Sequence, residues 1–264
     1  APMFWFARLI AGDLRERADL LWWTGRLVGA CCIAGSVACM YLMVRERTNL
    51  SIAVVVSLLY AFGTSVWSTS SQGLWQHSTN TLLQSLAILA FTRPSSSKES
   101  PLWCGVLISI GAWCRPTSAI YAVVFFISYL RTDWDKARRF VVGSLPLAVC
   151  LATFNYQMFG SPFRFAQSQM GSLSLEKTGQ LGVFQTPLIE GAAGLLFSPS
   201  RGLFIHTPFL LFAAAGAWMV LARNRFPEFK PLLVATLGVW LLEFKHFDWW
   251  GGWSFGCRHL VDTT

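Results

Sequence analysis

Charge is scarce in this sequence. Of 264 residues only 13% are Asp, Glu, Lys or Arg, and acids are the rarer kind, 13 against 21 basic residues. With 54% hydrophobic residues and a mean hydropathy of +0.48, the chain falls outside the range of water-soluble domains. The formal charge of +8 does not point to nucleic acid, because most of the basic excess sits in short segments between apolar runs, where it sets membrane topology. Patterned cysteine chemistry is missing too. Cys31, Cys32, Cys39, Cys104, Cys114, Cys150 and Cys257 show no C-x-x-C or Cys/His ligand spacing, and most lie in apolar runs as small buried residues do. No signal-peptide pattern precedes the first apolar run, and the chain opens at Ala1 and stops at Thr264 without a recognisable cap or tail; a fragment of a longer protein is expected.

What the sequence does have is a succession of apolar stretches near the roughly 20 residues that cross about 30 Å of hydrocarbon. Eight are predicted: Leu27 to Val44, Leu50 to Trp67, Thr79 to Phe91, Leu102 to Cys114, Thr117 to Leu130, Phe140 to Phe154, Leu203 to Leu221 and Pro231 to Phe244. The expected fold class is all-α, a polytopic transmembrane bundle of about eight helices, some short or broken. Residues 1–264 form one transmembrane domain, incomplete at both ends, with a long exoplasmic loop at 155–202.

The distribution of charge orients this bundle. Loops containing Arg45 and Arg47, Arg93 and Lys98, Arg131 to Arg139, and Arg223 to Lys230 each hold more basic than acidic residues, as cytoplasmic loops do. The segments between them are different. Trp67 to Thr79 has no charge at all, and the turn at Arg115 and Pro116 is minimal. These segments, 155–202 and the Trp249 cluster are therefore expected on the exoplasmic side.

Several polar features stand out on that side. Arg115-Pro116 separates two short apolar runs, and proline removes a helical donor and disfavours helix just before it. The pair is either a hairpin between short helices or a break exposing a guanidinium to a cavity, and the alternation of charged loops favours the hairpin. Arg115 itself either snorkels to headgroups or binds an anion. Residues 61–80 are polar yet nearly uncharged, a composition tolerated at membrane depth only against protein or a cavity. Within them, His77 holds a phosphate, relays a proton, or simply sits in the interface beside Trp75.

The stretch 155–202 is the one connection long enough to cover a site. Its part from Phe159 to Gly182 reads as a lid. The remainder carries Glu190 and the turn Ser198-Pro199-Ser200-Arg201-Gly202, which projects Arg201 just before an apolar run, where it meets a lipid phosphate or anchors a helix end. The C-terminal cluster holds Asp248, Trp249, Trp250, Gly251, Gly252 and Trp253, then Arg258 and His259. It is either an aromatic belt or a sugar-stacking surface that glycines open to a ligand.

Tyr60-Ala61-Phe62-Gly63-Thr64, Leu74-Trp75-Gln76-His77, Arg115-Pro116-Thr117, Phe197-Ser198-Pro199-Ser200-Arg201-Gly202-Leu203 and Trp249-Trp250-Gly251-Gly252-Trp253-Ser254-Phe255-Gly256 follow one another along most of the chain. In that order they resemble the GT-C superfamily of polytopic glycosyltransferases, near the protein O-mannosyltransferase and aminoarabinose transferase branch. The resemblance implies transfer of a sugar from a polyprenyl-phosphate donor to a glycan, lipid or protein acceptor on the exoplasmic face. The implied membrane is a bacterial inner membrane or one of endoplasmic-reticulum type. In that family an acidic base lies after the first transmembrane helix, so the base is expected upstream of Ala1 and the fragment alone is expected to be inactive. Cys257 stands where many relatives carry proline. The resemblance assigns substrate contacts to Arg115, Arg201, Arg258, His77, His259, Asp248, Glu190, Trp249, Trp250 and Trp253. No cofactor is identified, and a divalent metal has no visible ligand cluster to support it. A transporter or flippase of a lipid-linked or amphipathic solute is the alternative, since broken helices, intramembrane arginine and aromatic walls serve it as well.

Overall fold

The computed structural model describes residues 18–93, 99–166, 171, 182–251 and 256–263, and among these every regular element is helical. In chain order the helices are α1 (Ala18–Arg45), α2 (Leu50–Gly63), α3 (Gln76–Thr92), α4 (Ser100–Cys114), α5 (Ser118–Thr132), α6 (Trp134–Phe159), α7 (Leu188–Phe197), α8 (Leu203–His206), α9 (Leu211–Leu221) and α10 (Lys230–Phe244). A π-helical turn covers Val66–Ser70, and short 3-10 turns cover Pro208–Leu210, Pro227–Phe229 and Val261–Thr263.

Local chemistry sets the ends. Asn49 caps α2 by accepting from the Ile52 amide at 2.9 Å, and Asp133 caps α6 by accepting from the Asp135 amide at 2.9 Å. Helix α6 stops at Gly160, whose φ of 72° is the left-handed termination that glycine supplies. Helix α4 ends where Arg115 turns extended ahead of Pro116, and the Ser118 amide donates back to the Arg115 carbonyl at 3.0 Å, so α4 and α5 form a tight hairpin.

All eight predicted runs fall on helices, but among the described residues only two helices are long and apolar enough to cross a membrane. These are α1, with 27 residues from Asp19 to Arg45, and α6, with 26. The core helix of a soluble protein would be mostly buried; here only 22% and 17% of the most apolar windows are buried. Leu27, Val142, Leu145 and Val149 instead present exposed apolar surface, which favours contact with lipid. Helices α2, α4 and α5 are apolar but have 14 or 15 residues each. The run Leu203 to Leu221 is broken into α8, a 3-10 turn and α9, because Pro208 has no amide hydrogen to continue the first helix. The segment expected as a loop over 155–202 begins inside α6 and contains α7. The apolar stretch Leu188-Ile189 through Leu195-Leu196-Phe197 gives α7 a face that packs on α10. Most of the expected lid lies outside the described residues.

Helix α1 packs on α2 and α3, α3 on α4, α4 on α5 and α6, and α5 and α7 on α10. The core between α3, α4, α5, α6 and α10 contains Ile108, Phe125, Tyr129, Phe140 and Val239, with Phe91 stacked on Phe125 at 4.2 Å. Helices α4 and α6 meet backbone to backbone. A Cβ at Gly143 would collide with the Leu102 carbonyl, and one at Gly105 with the Phe140 carbonyl, the close approach that small residues permit between membrane helices. Gly143→Val should therefore force α4 and α6 apart and lower stability by about 1–3 kcal/mol. Far-UV circular dichroism melts of the full chain in detergent read this directly, and an unchanged midpoint would contradict the packing.

Candidate functional site

The polar stretch 61–80 folds inward. Thr64, Ser65, Thr69, Ser70, Ser71, His77, Ser78 and Asn80 are all buried; Thr64 donates to the Tyr60 carbonyl, Ser71 to Trp67 and Ser78 to Ser70, at 2.6 to 2.8 Å, while the Ser70 hydroxyl is buried without a partner among the described residues. This delivers His77 on the first turn of α3 to the interior. The hairpin brings Arg115 to the same place, and the Ser118 hydroxyl fixes the hairpin to α3 by donating to Asn80 at 2.7 Å.

The third contribution comes from the C-terminal segment. After α10 the chain is held by the Thr186 hydroxyl donating to the His246 carbonyl at 2.8 Å and the Phe247 amide donating to Val183 at 2.8 Å. Gly251, at φ 69°, turns it close against the His259 ring, a conformation that side chains other than glycine rarely adopt. The turn at Val261–Thr263 then returns to α10 and α3. Trp240 donates to the Thr263 hydroxyl at 2.8 Å, Thr81 to the Asp262 carboxylate at 3.1 Å, and Gln84 to the Asp262 carbonyl at 3.0 Å.

At the centre Arg115 bridges two carboxylates. One Nη contacts Asp262 and the other donates to Glu243 at 2.8 Å. The side chains of Asp262 and Glu243 are each 4% exposed and that of Arg115 9%. His77 lies between Asp262, 3.5 Å from Nδ1, and Arg258, whose Nε is 3.4 Å from Nε2. Arg115 reaches the same ring, its Nη1 3.1 Å from Nδ1, so Nδ1 faces a carboxylate and a guanidinium at once while Nε2 faces the Arg258 guanidinium. His259 closes the ring. Its Nδ1 is 3.1 Å from Glu243 and its Nε2 is 3.0 Å from the Asp248 carbonyl.

Burial lowers the His77 pKa and is only partly opposed by Asp262, so its imidazole is neutral at neutral pH. Burial resists ionisation of Asp262, but Arg115 and His77 overcome it and hold the carboxyl well below the usual range. Arg258 differs from Arg115. It forms no ion pair among the described residues, lies over the exposed Trp75 ring at 5.2 Å, and is held below its ordinary value first by burial and then by Arg115, against the pull of Asp248.

Of the residues expected to contact substrate, the structure thus gathers His77, Arg115, Asp248, Arg258 and His259. It places others elsewhere. Arg201 is on the Ser198–Gly202 turn, near enough to act electrostatically on the buried Cys257 thiol. Glu190 is exposed on the first turn of α7. Trp249 packs against Gly194 in a core with Leu195 and Phe244, while Trp250 stands edge-on to it and is partly exposed. Trp253 lies outside the described residues. Sequence reasoning missed Glu243, Asp262 and Trp75 as members of the site. Glu243 did carry a signal, an acid closing a predicted membrane span; Asp262, close to the end of the chain, carried none.

Among the described residues no group of three or more His, Cys, Asp or Glu is placed to hold a metal. Comparison with protein-family models, curated proteins and solved structures gives no match. The reading of this site therefore rests on its own geometry.

Two consequences are measurable. Arg115→Met should cost about 3–5 kcal/mol by leaving two buried carboxylates unpaired, and adding Glu243→Gln should return part of that loss; no recovery in chemical denaturation would mean that the carboxylates do not depend on Arg115. Stability should also fall with acid. His77, depressed in the fold, contributes fully above its unfolded value of about 6.5 and loses that contribution as pH falls. Asp262, also depressed, holds its contribution down to about pH 4, near the unfolded carboxylate value, and loses it only below that. His77→Gln should flatten the dependence of the melting midpoint between pH 7 and 5, and an unaltered slope would contradict a neutral buried His77.

Proposed function

We propose that this chain belongs to a multi-pass membrane glycosyltransferase that moves a sugar from a polyprenyl-phosphate donor to an acceptor on the exoplasmic face. The observation that carries this reading is Arg258, a half-buried guanidinium without a carboxylate partner among the described residues, beside the neutral His77 and the exposed face of Trp75. A planar guanidinium in a low-dielectric recess suits a phosphate, which it grips through two hydrogen bonds. An indole face beside it suits a sugar ring.

In the proposed reaction a base takes the proton of the acceptor hydroxyl, whose oxygen attacks the anomeric carbon. The bond from that carbon to the phosphate oxygen breaks, and the lipid phosphate leaves with the electron pair. Arg258 stabilises the charge that develops on the leaving phosphate. Asp262 and Glu243 are both engaged by Arg115, so in this reading they hold the cations in position and neither is assigned as the base.

Arg258→Ala in the full-length protein, reconstituted in liposomes with a polyprenyl-phosphate sugar, should lower the transfer rate by about 10²-fold or more. Arg258→Lys, which keeps the charge without the fork, should fall between the two. Normal transfer by Arg258→Ala would remove this residue from the site. Flux of the lipid-linked sugar across the same liposomes without transfer would replace the enzyme reading with the flippase.

A further inference from the structure

A cavity of about 430 Å³ opens between α1, α3, α5 and α10, a size typical of small-molecule sites. Its ends differ in chemistry. The mouth is bordered by Met43, Phe226, Phe229 and Leu232, with Arg47 at its edge. That arginine is already engaged: it donates to the Met43 and Thr92 carbonyls at 3.0 and 2.7 Å, lies within ion-pair distance of Glu46 and Glu228, and stacks over Phe229.

The inner end is polar and uncharged except for Asp262. Thr81, Gln84 and Tyr121 are buried there beside Thr236. The hydroxyls of Tyr121 and Thr236 bond to each other at 2.9 Å, and Gln84 uses its amide hydrogen on the Asp262 carbonyl and its oxygen on Asn80. Each hydroxyl and the amide oxygen retains a free lone pair for a further donor. An anionic head would meet the Asp262 carboxylate with no unpaired cation lining the cavity. A cationic head would compete with Arg115 for a carboxylate that is already neutralised. A neutral head rich in hydrogen bonds meets neither penalty.

We propose that this cavity binds an uncharged single-chain amphiphile, hydroxyl- or amide-headed, with its head against Gln84, Tyr121 and Thr236 and its chain leaving past Leu232 and Phe229. The site is distinct from the one around Arg258. Thr81 and Asp262 stand between them, so a ligand bound here touches the far side of the carboxylate that orients His77 and Arg115.

The test uses the full chain in lipid nanodiscs and a diazirine-bearing monoacylglycerol as photoprobe. Labelling should saturate, and the modified peptides should come from α3, α5 and α10. Monooleoylglycerol should compete at least about tenfold better than oleoyl lysophosphatidic acid, which has the same chain and an anionic head. Leu232→Trp, which narrows the mouth, should cut labelling several-fold at an unchanged melting midpoint. If that variant does not fold, Thr236→Val, with the same shape and no hydroxyl, reads the head contact and should weaken labelling too. Equal competition by the two lipids, labels mapping away from the cavity, or labelling that does not saturate would each overturn the proposal. So would normal labelling of whichever of these variants folds.

Discussion

The pairing of Arg115 with both Asp262 and Glu243 is the constraint on which the rest of the site depends. Removing three charged side chains from water is costly, and their mutual attraction offsets that only when geometry and additional hydrogen bonds satisfy the remaining positions. Here they are satisfied from several elements at once: Thr81 from α3, His77 from the first turn of α3, and His259 from the C-terminal segment. The ion set consequently joins α3 and the α4–α5 hairpin to α10 and the C-terminal turn, whose carboxylates lie 128 and 147 positions beyond Arg115. No pair of them can shift without leaving a buried charge uncompensated.

That dependence explains why the helices around the site are so closely packed. A guanidinium spanning two fixed carboxylates tolerates little displacement, and the contact of α4 with α6 at Gly105 and Gly143 holds the hairpin's first helix against its neighbour without intervening side chains. Ser118 bonded to Asn80 performs the same task between the hairpin and α3. Between these anchors the inward-turned hydroxyls of Thr64, Ser71 and Ser78 are bonded to backbone carbonyls, as polar groups beside an apolar exterior usually are. The result is a polar interior held within a shell whose outer residues, such as Leu27 and Val149, are exposed and apolar.

Much of this was legible along the chain. The apolar runs located most of the helices and Pro116 marked a real break, because hydrophobic periodicity and proline act locally, whereas the break at Pro208 and the helix at Leu188–Phe197 were not anticipated. His77, Arg115, Arg258 and His259 were readable because ionisable residues at the ends of apolar runs are few. Their partners were not. Arg115 meets acids 128 and 147 positions later, and no spacing rule relates them. Trp249 and Arg201 show the converse, in that motif and composition drew attention to both. The structure places the indole against Gly194 in a packed core, since aromatic side chains near glycine serve packing as readily as recognition, and Arg201 on the turn that begins at Ser198.

The contrast between the two arginines bears most directly on function. Both lie in one cluster, within reach of the same histidine, Arg115 buried and Arg258 half-buried. Arg115 is provided with two carboxylates, Glu243 and Asp262. Arg258 has an imidazole nitrogen and an indole face instead, and both burial and the neighbouring Arg115 disfavour its charge. Asp248 acts on it only at longer range, without an ion pair among the described residues. On the proposed reading, an incoming phosphate would supply the anionic partner that Arg258 lacks among the described residues. The set immediately behind it is already neutralised, so on that reading the anion would be drawn to Arg258 rather than to Arg115.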